Sequence, residues 1–196
     1  MNTQRFEKRL WASALGSAMM WRLLRPVVRI GGPLDVDADV LHIGCGTGRF
    51  TETLAQTHPQ WRITALDSDP NMIRSAYHRL HKYASRIRIV CAEPPALPYP
   101  DASFDLVIAA HVWHRLPTWR AVTLEAARVL RPQGILALTD SPFLQVKQPH
   151  NQDGPAATSV KVAVTAAGLT LADTASIPGI GYRILAFRYP PRPIAA

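Results

Sequence analysis

The feature that most constrains the fold of this chain is a short apolar run that ends in a glycine loop. Val40-Leu41-His42-Ile43 leads directly into Gly44-Cys45-Gly46-Thr47-Gly48, and Arg49 to His58 then reads as a helix. A run of four such residues is too short for a buried helix and suits a buried strand. A strand that turns through glycines into a helix is the opening unit of an alternating α/β sheet. The pattern then repeats. Arg62 to Leu66 reads as a second strand, ending on Asp67. Asp69-Pro70 reads as an N-cap with proline at the first helical position, and that helix runs to about Tyr83. Strands follow at Arg86–Val90, Phe104–Ala109 and Ile135–Thr139, with a helix from about Thr118 to Leu130 and a turn at Pro132-Gln133-Gly134. A polar loop, Ser141 to Pro155, leads to a helix around Ala156–Ala167. The runs Leu169–Ser176 and Tyr182–Tyr189, separated by Pro178-Gly179-Ile180-Gly181, read as an antiparallel hairpin. The expectation is a mainly parallel sheet with helices on both faces, whose ligands bind at the carboxyl ends of the strands.

With 196 residues and 47% hydrophobic content, the chain can bury one sizeable core. A charged fraction of 18% without low-complexity runs excludes a disordered chain. Its two cysteines, Cys45 and Cys91, make no disulfide framework, and there is no Cys/His cluster with zinc spacing, so no metal is expected. The net charge of +8 lies at the ends. Residues 1–31 hold six Lys/Arg and one Glu, residues 183–196 hold three Arg and no acid, and the stretch between is neutral. Residues 3–30 read as helix, with Phe6, Leu10, Ala14 and Ala18 on one face, until Gly31-Gly32-Pro33 breaks the run. The uncharged stretch Trp11–Trp21 has the outline of a signal peptide. It is too short to span a bilayer, which takes about 20 residues, and no A-x-A site follows it. Residues 1–33 are therefore read as an N-terminal extension and candidate lid, and residues 34–196 as the main domain.

The glycine loop places backbone amides and a helix amino terminus where a carboxylate or phosphate could bind. Asp67 lies 23 residues after Gly44, at the end of the next strand, where an acid can accept both hydroxyls of a ribose. The two together point to an adenosine cofactor. Spacing separates the candidates. A dinucleotide fingerprint reads GxGxxG, whereas Gly44, Gly46 and Gly48 read GxGxG, with Arg49 in the place of the third glycine. This turns the site away from nicotinamide and flavin dinucleotides.

Four ordered motifs over about residues 39–140 then carry a family resemblance. They are Val40–Gly48, Ala65–Met72, Leu97-Pro98-Tyr99-Pro100-Asp101-Ala102-Ser103-Phe104-Asp105, and Glu125–Gly134. The chain resembles the class I S-adenosylmethionine-dependent methyltransferases, especially their small-molecule, UbiE-like branch. The resemblance implies a Rossmann-like seven-stranded sheet, with S-adenosylmethionine as cofactor and S-adenosylhomocysteine as product. Residues 141–196 match its last two strands in pattern only. By the same resemblance Gly44, Cys45, Gly46 and Gly48 hold the methionine portion, Asp67 the ribose, and Ser68 and Met72 flank the adenine. Glu93 matches the acid that contacts the adenine amino group, and Ala109, at the end of the fourth strand, completes the set. His42 departs from the family, which has Asp or Glu two residues before the first glycine to hold the cofactor's amino group. A neutral imidazole there could accept a hydrogen bond but supplies no negative charge.

Methyl transfer is an in-line displacement in which positioning supplies much of the rate. His111 and His114 follow the fourth strand, and either could act as general base. Trp113 is a candidate pocket residue. The expected partner is a small, apolar or aromatic methyl acceptor, and the expected location is the cytoplasm. The basic ends raise two alternatives: an RNA methyltransferase, and a non-catalytic S-adenosylmethionine-binding protein at a membrane surface. The chain has no Asn/Asp-Pro-Pro-Tyr/Phe motif, which disfavours the nucleic-acid reading.

Overall fold

Strand β1 (Asp39–Ile43) lies in the interior of the sheet, and its composition shows why. Val40, Leu41 and Ile43 have no exposed surface, so both faces of the strand are covered. A strand buried on both faces loses the alternation of a half-buried one and reads as a continuous apolar run. The computed structural model describes residues 37–110, 112, 118–140, 157–176 and 183–188. It contains strands β2 (Arg62–Asp67), β3 (Ile87–Cys91), β4 (Phe104–Ala110), β5 (Leu130–Asp140), β6 (Thr170–Ser176) and β7 (Arg183–Arg188). Its helices are α1 (Arg49–Thr57), α2 (Pro70–Leu80), α3 (Trp119–Val129) and α4 (Ala157–Ala166), with a single 3₁₀ turn, His81–Tyr83, after α2.

The seven strands form one sheet in the order β3-β2-β1-β4-β5-β7-β6. Strands β1 to β5 pair in parallel, and β7 is antiparallel to both β5 and β6. The expected mainly parallel sheet and C-terminal antiparallel pair are both present. Strand order reverses between β1 and β4, so the glycine loop leaves β1 beside the switch point, where open α/β sheets bind ligands.

Two apolar layers hold the sheet. On one face Val40, Ile63, Ile108 and Ala137 pack with Phe50 and Leu54 of α1 and Ala76 and Leu80 of α2. On the other, Leu41, Ile43, Val107 and Leu138 pack with Trp119 and Val122 of α3 and Val160 and Val164 of α4. At about 25 cal/mol per Å² of apolar surface, these two layers are the main source of stability. His42 is the one ring nitrogen-bearing side chain buried within β1.

Asp69 caps α2 as the sequence predicts, its carboxylate accepting from the Asn71 amide at 2.9 Å, with Pro70 in the first turn. The fifth strand differs in extent from the expected Ile135–Thr139. It begins at Leu130, which pairs with Phe104, and the register then jumps so that Leu106 faces Ile135. Residues 131–134, containing the predicted turn, bulge out between these pairs. No helix among the described residues is long and apolar enough to cross a membrane.

Candidate cofactor site

The loop after β1 is stitched to the end of β2 by its backbone. The Gly44 and Cys45 amides both donate to the Leu66 carbonyl, at 2.8 and 2.9 Å. The Gly46 amide donates to Asp67 Oδ2 at 2.8 Å, and the Asp69 amide to Asp67 Oδ1 at 3.0 Å. One carboxylate thus ties the glycine loop to the turn that starts α2. Each of its oxygens keeps a further lone pair for a ligand hydroxyl. The Ala92 amide donates to the Asp67 carbonyl at 3.2 Å, so exposed Glu93 follows directly on a residue tied to the end of β2, where Ser68 is exposed as well. Met72 is half-buried on the first turn of α2.

The three glycines do different jobs, although all have positive φ: 73° at Gly44, 55° at Gly46 and 75° at Gly48. A Cβ on Gly44 would lie 2.7 Å from Cβ and Cγ2 of Val112, so this glycine lets the loop abut the segment after β4. A Cβ on Gly48 would lie 2.9 Å from Leu80 Cδ1 and 3.2 Å from the Ala76 backbone. Gly48 therefore supplies the close helix approach that the missing third glycine of a dinucleotide fingerprint would give. Gly46 alone of the three has nothing among the described residues within 4 Å of that position. Its α-carbon borders open space, and its amide is already aimed by Asp67. Gly48 also starts α1 with no side-chain cap, which leaves the first-turn amides available to an anionic group. This cradle fits the amino-acid and ribose portions of S-adenosylmethionine.

His42 is 2% exposed. Its Nδ1 is 2.8 Å from the hydroxyl of Thr51, itself fully buried on α1, and Phe50 packs edge-on against the ring. Nε2 has no hydrogen-bond partner among the described residues. Burial lowers the imidazole pKa to about 4, so the ring is neutral at physiological pH. Burial likewise pushes the Cys45 thiol far above its ordinary range, with Asp67 adding to the effect, so Cys45 is an unreactive packing residue. Ala109 is wholly buried in the core, which leaves only its backbone to meet a ligand. His111, Trp113 and His114 lie outside the described residues, as does the candidate lid. Their chain neighbour Val112 lies against Gly44. No cluster of three or more potential metal ligands occurs among the described residues.

The third and fourth sequence motifs prove to be one contact. Arg128 donates to Glu125, to Asp101 and to the carbonyls of Leu97 and Tyr99, at 2.8 to 3.2 Å. Glu125 Oε2 in turn accepts from the Leu97 amide at 3.0 Å. Hydrogen bonding to Arg128 holds the Glu125 carboxyl below its ordinary pKa. The pair anchors to α3 the loop that follows Glu93. Neither residue was singled out from sequence, although both lie in a quoted motif. Thr51 carried no signal at all.

Comparison with known proteins agrees with this geometry. The family described as "Methyltransferase domain" matches residues 41–138, and the chain belongs to it. It is a class I S-adenosylmethionine-dependent methyltransferase domain. It is 38% identical over 126 residues to the 27-O-demethylrifamycin SV methyltransferase of Amycolatopsis mediterranei, covering 63% of this chain and 45% of that protein. It is also 38% identical over 120 residues to the malonyl-[acyl-carrier protein] O-methyltransferase of Hahella chejuensis, covering 59% of this chain and 42% of that one. The chain thus spans less than half the length of these relatives. Among solved structures it resembles a SAM-dependent methyltransferase from Aquifex aeolicus, with a TM-score of 0.67 at 20% identity, covering 85% of this chain and 90% of that one. It also resembles the [4+2]-cyclase SpnF, with a TM-score of 0.74 at 21% identity, covering 86% and 81%. The cyclase shows that this fold by itself does not fix a reaction.

Proposed function

We propose that the chain transfers a methyl group from S-adenosylmethionine to a small-molecule acceptor, apolar or aromatic in character. The observation that carries the reading is the Gly46–Asp67 pair, in which the one glycine facing open space has its amide bound to the acid that ends β2. The printed activities of the relatives support a small acceptor, since rifamycin, trans-aconitate and malonyl-carrier-protein methyltransferases are among them. When bound, the cofactor supplies a sulfonium methyl open to in-line attack, leaving S-adenosylhomocysteine. The protein's part is positional. Asp67 accepts from the ribose, the Gly46 backbone bounds the methionine portion, and Glu93 and Ser68 border the adenine. His111 or His114 takes a proton from the acceptor, and residues 1–33 close over its apolar body. A cytoplasmic location belongs to the same proposal.

Calorimetry with S-adenosylhomocysteine tests the cofactor half, and a labelled-methyl screen of small-molecule fractions tests the transfer. Tight binding without transfer to any fraction would favour a cyclase-like or non-catalytic use of the fold. Deleting residues 1–30 should weaken acceptor binding more than cofactor binding. Unchanged turnover in that deletion would remove the lid from the proposal.

A further inference from the structure

We infer that Arg79, on the last turn of α2, is a positioning residue for the cofactor: it grips the glycine loop through the Thr47 carbonyl and fixes the peptide that leads into α1. The inference rests on the cofactor reading above and extends the site to a helix face with no motif of its own.

The loop has one open side and one packed side. Gly46 is clear of the described residues, whereas an added Cβ on Gly48 would meet Leu80 Cδ1 at 2.9 Å and Ala76 Cα at 3.2 Å. Ala76, Arg79 and Leu80 are spaced i, i+3 and i+4, so they share one face of α2. That face seats the loop, and Arg79 supplies its polar contact. Arg79 Nε donates to the Thr47 carbonyl at 3.0 Å, and Nη1 lies 3.4 Å from Glu52 Oε2 on α1. Lys82 Nζ holds the other Glu52 oxygen at 2.9 Å. A guanidinium presents its donors in a fixed planar fork, so the Glu52 carboxylate sets the angle at which Arg79 meets the carbonyl. The Arg79 and Glu52 side chains are 29% and 17% exposed, which shields the contact from much of the solvent.

Three hydrogen bonds define the Thr47–Gly48 stretch. Arg79 donates to the Thr47 carbonyl, the Gly48 amide donates to the Cys45 carbonyl at 3.0 Å, and the Glu52 amide donates to the Gly48 carbonyl at 2.9 Å. Only the first comes from outside the loop and α1. The Thr47 carbonyl is also the acceptor that the Thr51 amide, four residues on, would use to extend α1 back into the loop. It accepts from Arg79 instead. The Arg49, Phe50 and Thr51 amides donate to no acceptor among the described residues. Arg79 therefore holds this peptide out of the helix and keeps the loop in the shape that presents Gly46 and the first-turn amides.

The test uses the whole chain with S-adenosylhomocysteine and with 5′-methylthioadenosine, which keeps the adenine and ribose and lacks the amino-acid end. Arg79→Met should weaken S-adenosylhomocysteine about tenfold, the loss expected for a hydrogen bond from a charged group, and change 5′-methylthioadenosine by no more than about twofold. Arg79→Lys keeps the charge without the fork and should weaken S-adenosylhomocysteine about threefold. Amide hydrogen exchange of the free protein is the second readout. In Arg79→Met the Gly48 amide should exchange at least about tenfold faster, while the amides of β1 keep their rates. An arginine that only held α2 in place would weaken both ligands alike, because the turn tied to Asp67 starts the same helix. Equal losses for the two ligands, or an unchanged S-adenosylhomocysteine affinity, would overturn the inference and leave the cofactor reading intact. If Arg79→Met does not fold, Arg79→Lys decides by the same comparison. Failure of the wild-type chain to bind either ligand would overturn both.

Discussion

Gly168 after α4 aside, the left-handed backbone positions among the described residues fall into two regions that obey different rules. In the loop after β1, all three are glycine. In the turn before β4 and the bulge within β5, they are Ala102, with φ of 53°, and Gln133, with φ of 66°. Both of these side chains are exposed. The contrast shows that positive φ alone does not demand glycine. An L-residue there costs about 1–2 kcal/mol, which a folded domain tolerates in an open turn. Glycine is required where the conformation coincides with close packing, as at Gly44 and Gly48, and on the proposed function also where a face is left open to the cofactor, as at Gly46.

The sharpest way to break this comparison is Gly44→Ala. The new Cβ would meet Val112 at 2.7 Å and also adopt the unfavourable φ. Overpacking and backbone strain together should cost about 4 kcal/mol of stability. Urea unfolding of the single variant and of Gly44→Ala/Val112→Gly separates the two contributions. The double variant should recover the packing share only. No recovery would mean that Val112 is not what holds the loop.

A pH profile probes the same loop through its neighbour. The His42 pKa is depressed to about 4 from an ordinary value of 6.5, so between these values the unfolded chain binds the proton more readily. The stability is therefore complete above pH 6.5 and falls as the pH drops toward 4. A shift of this size corresponds to about 3 kcal/mol. Half-buried His58 is also depressed by burial and acts in the same direction. The comparison of wild type with His42→Gln isolates the larger part. Urea midpoints for the variant should fall less steeply than those of wild type between pH 6.5 and 4.5, the remaining slope coming from His58. A slope equal to that of wild type would show that His42 titrates with an ordinary pKa.

These experiments address features that the sequence revealed unevenly. The strand at Val40–Ile43, the N-cap at Asp69 and the Asp67 position were legible, because local chemistry dictates each of them. A two-face-buried strand must be apolar, a helix start needs a side-chain acceptor, and a parallel turn puts the next strand's end beside the first. The partnership of Glu125 and Arg128 with the Leu97–Asp101 loop was not legible, since it joins segments about 30 residues apart. The Thr51–His42 contact was hidden for a different reason. It depends on how α1 lies across β1, and no periodicity encodes that. The start of β5 at Leu130 was missed because residues 131–134 have the composition of a turn, and only pairing across β4 shows the strand continuing past them.

Gly46→Ala isolates the ligand-facing role. Nothing among the described residues lies within 4 Å of its added Cβ, so the variant should lose only the backbone contribution, about 1 kcal/mol. Its affinity for S-adenosylhomocysteine should nevertheless fall at least about tenfold, because the methyl group enters the space the ligand occupies. Calorimetry alongside urea unfolding gives both numbers. A variant with intact affinity would show that the cofactor lies elsewhere on the loop.

The smallest effect is the one that completes the comparison, and it has the opposite sign. Gln133 occupies a left-handed position without the packing that makes glycine indispensable, so Gln133→Gly should relieve about 1–2 kcal/mol of strain. Against this, glycine loosens the unfolded chain by about 0.4–1 kcal/mol. The net gain should be about 0.5 kcal/mol, seen as a higher urea midpoint with an unchanged slope, and cofactor affinity should not change. The adjacent Gly134 makes the converse control. Its added Cβ would meet Leu130 Cγ at 2.8 Å and the Arg131 carbonyl at 2.9 Å, so Gly134→Ala should destabilise the same turn. If both substitutions shifted stability in the same direction, φ and packing could not be the two separate constraints that distinguish this turn from the cofactor loop.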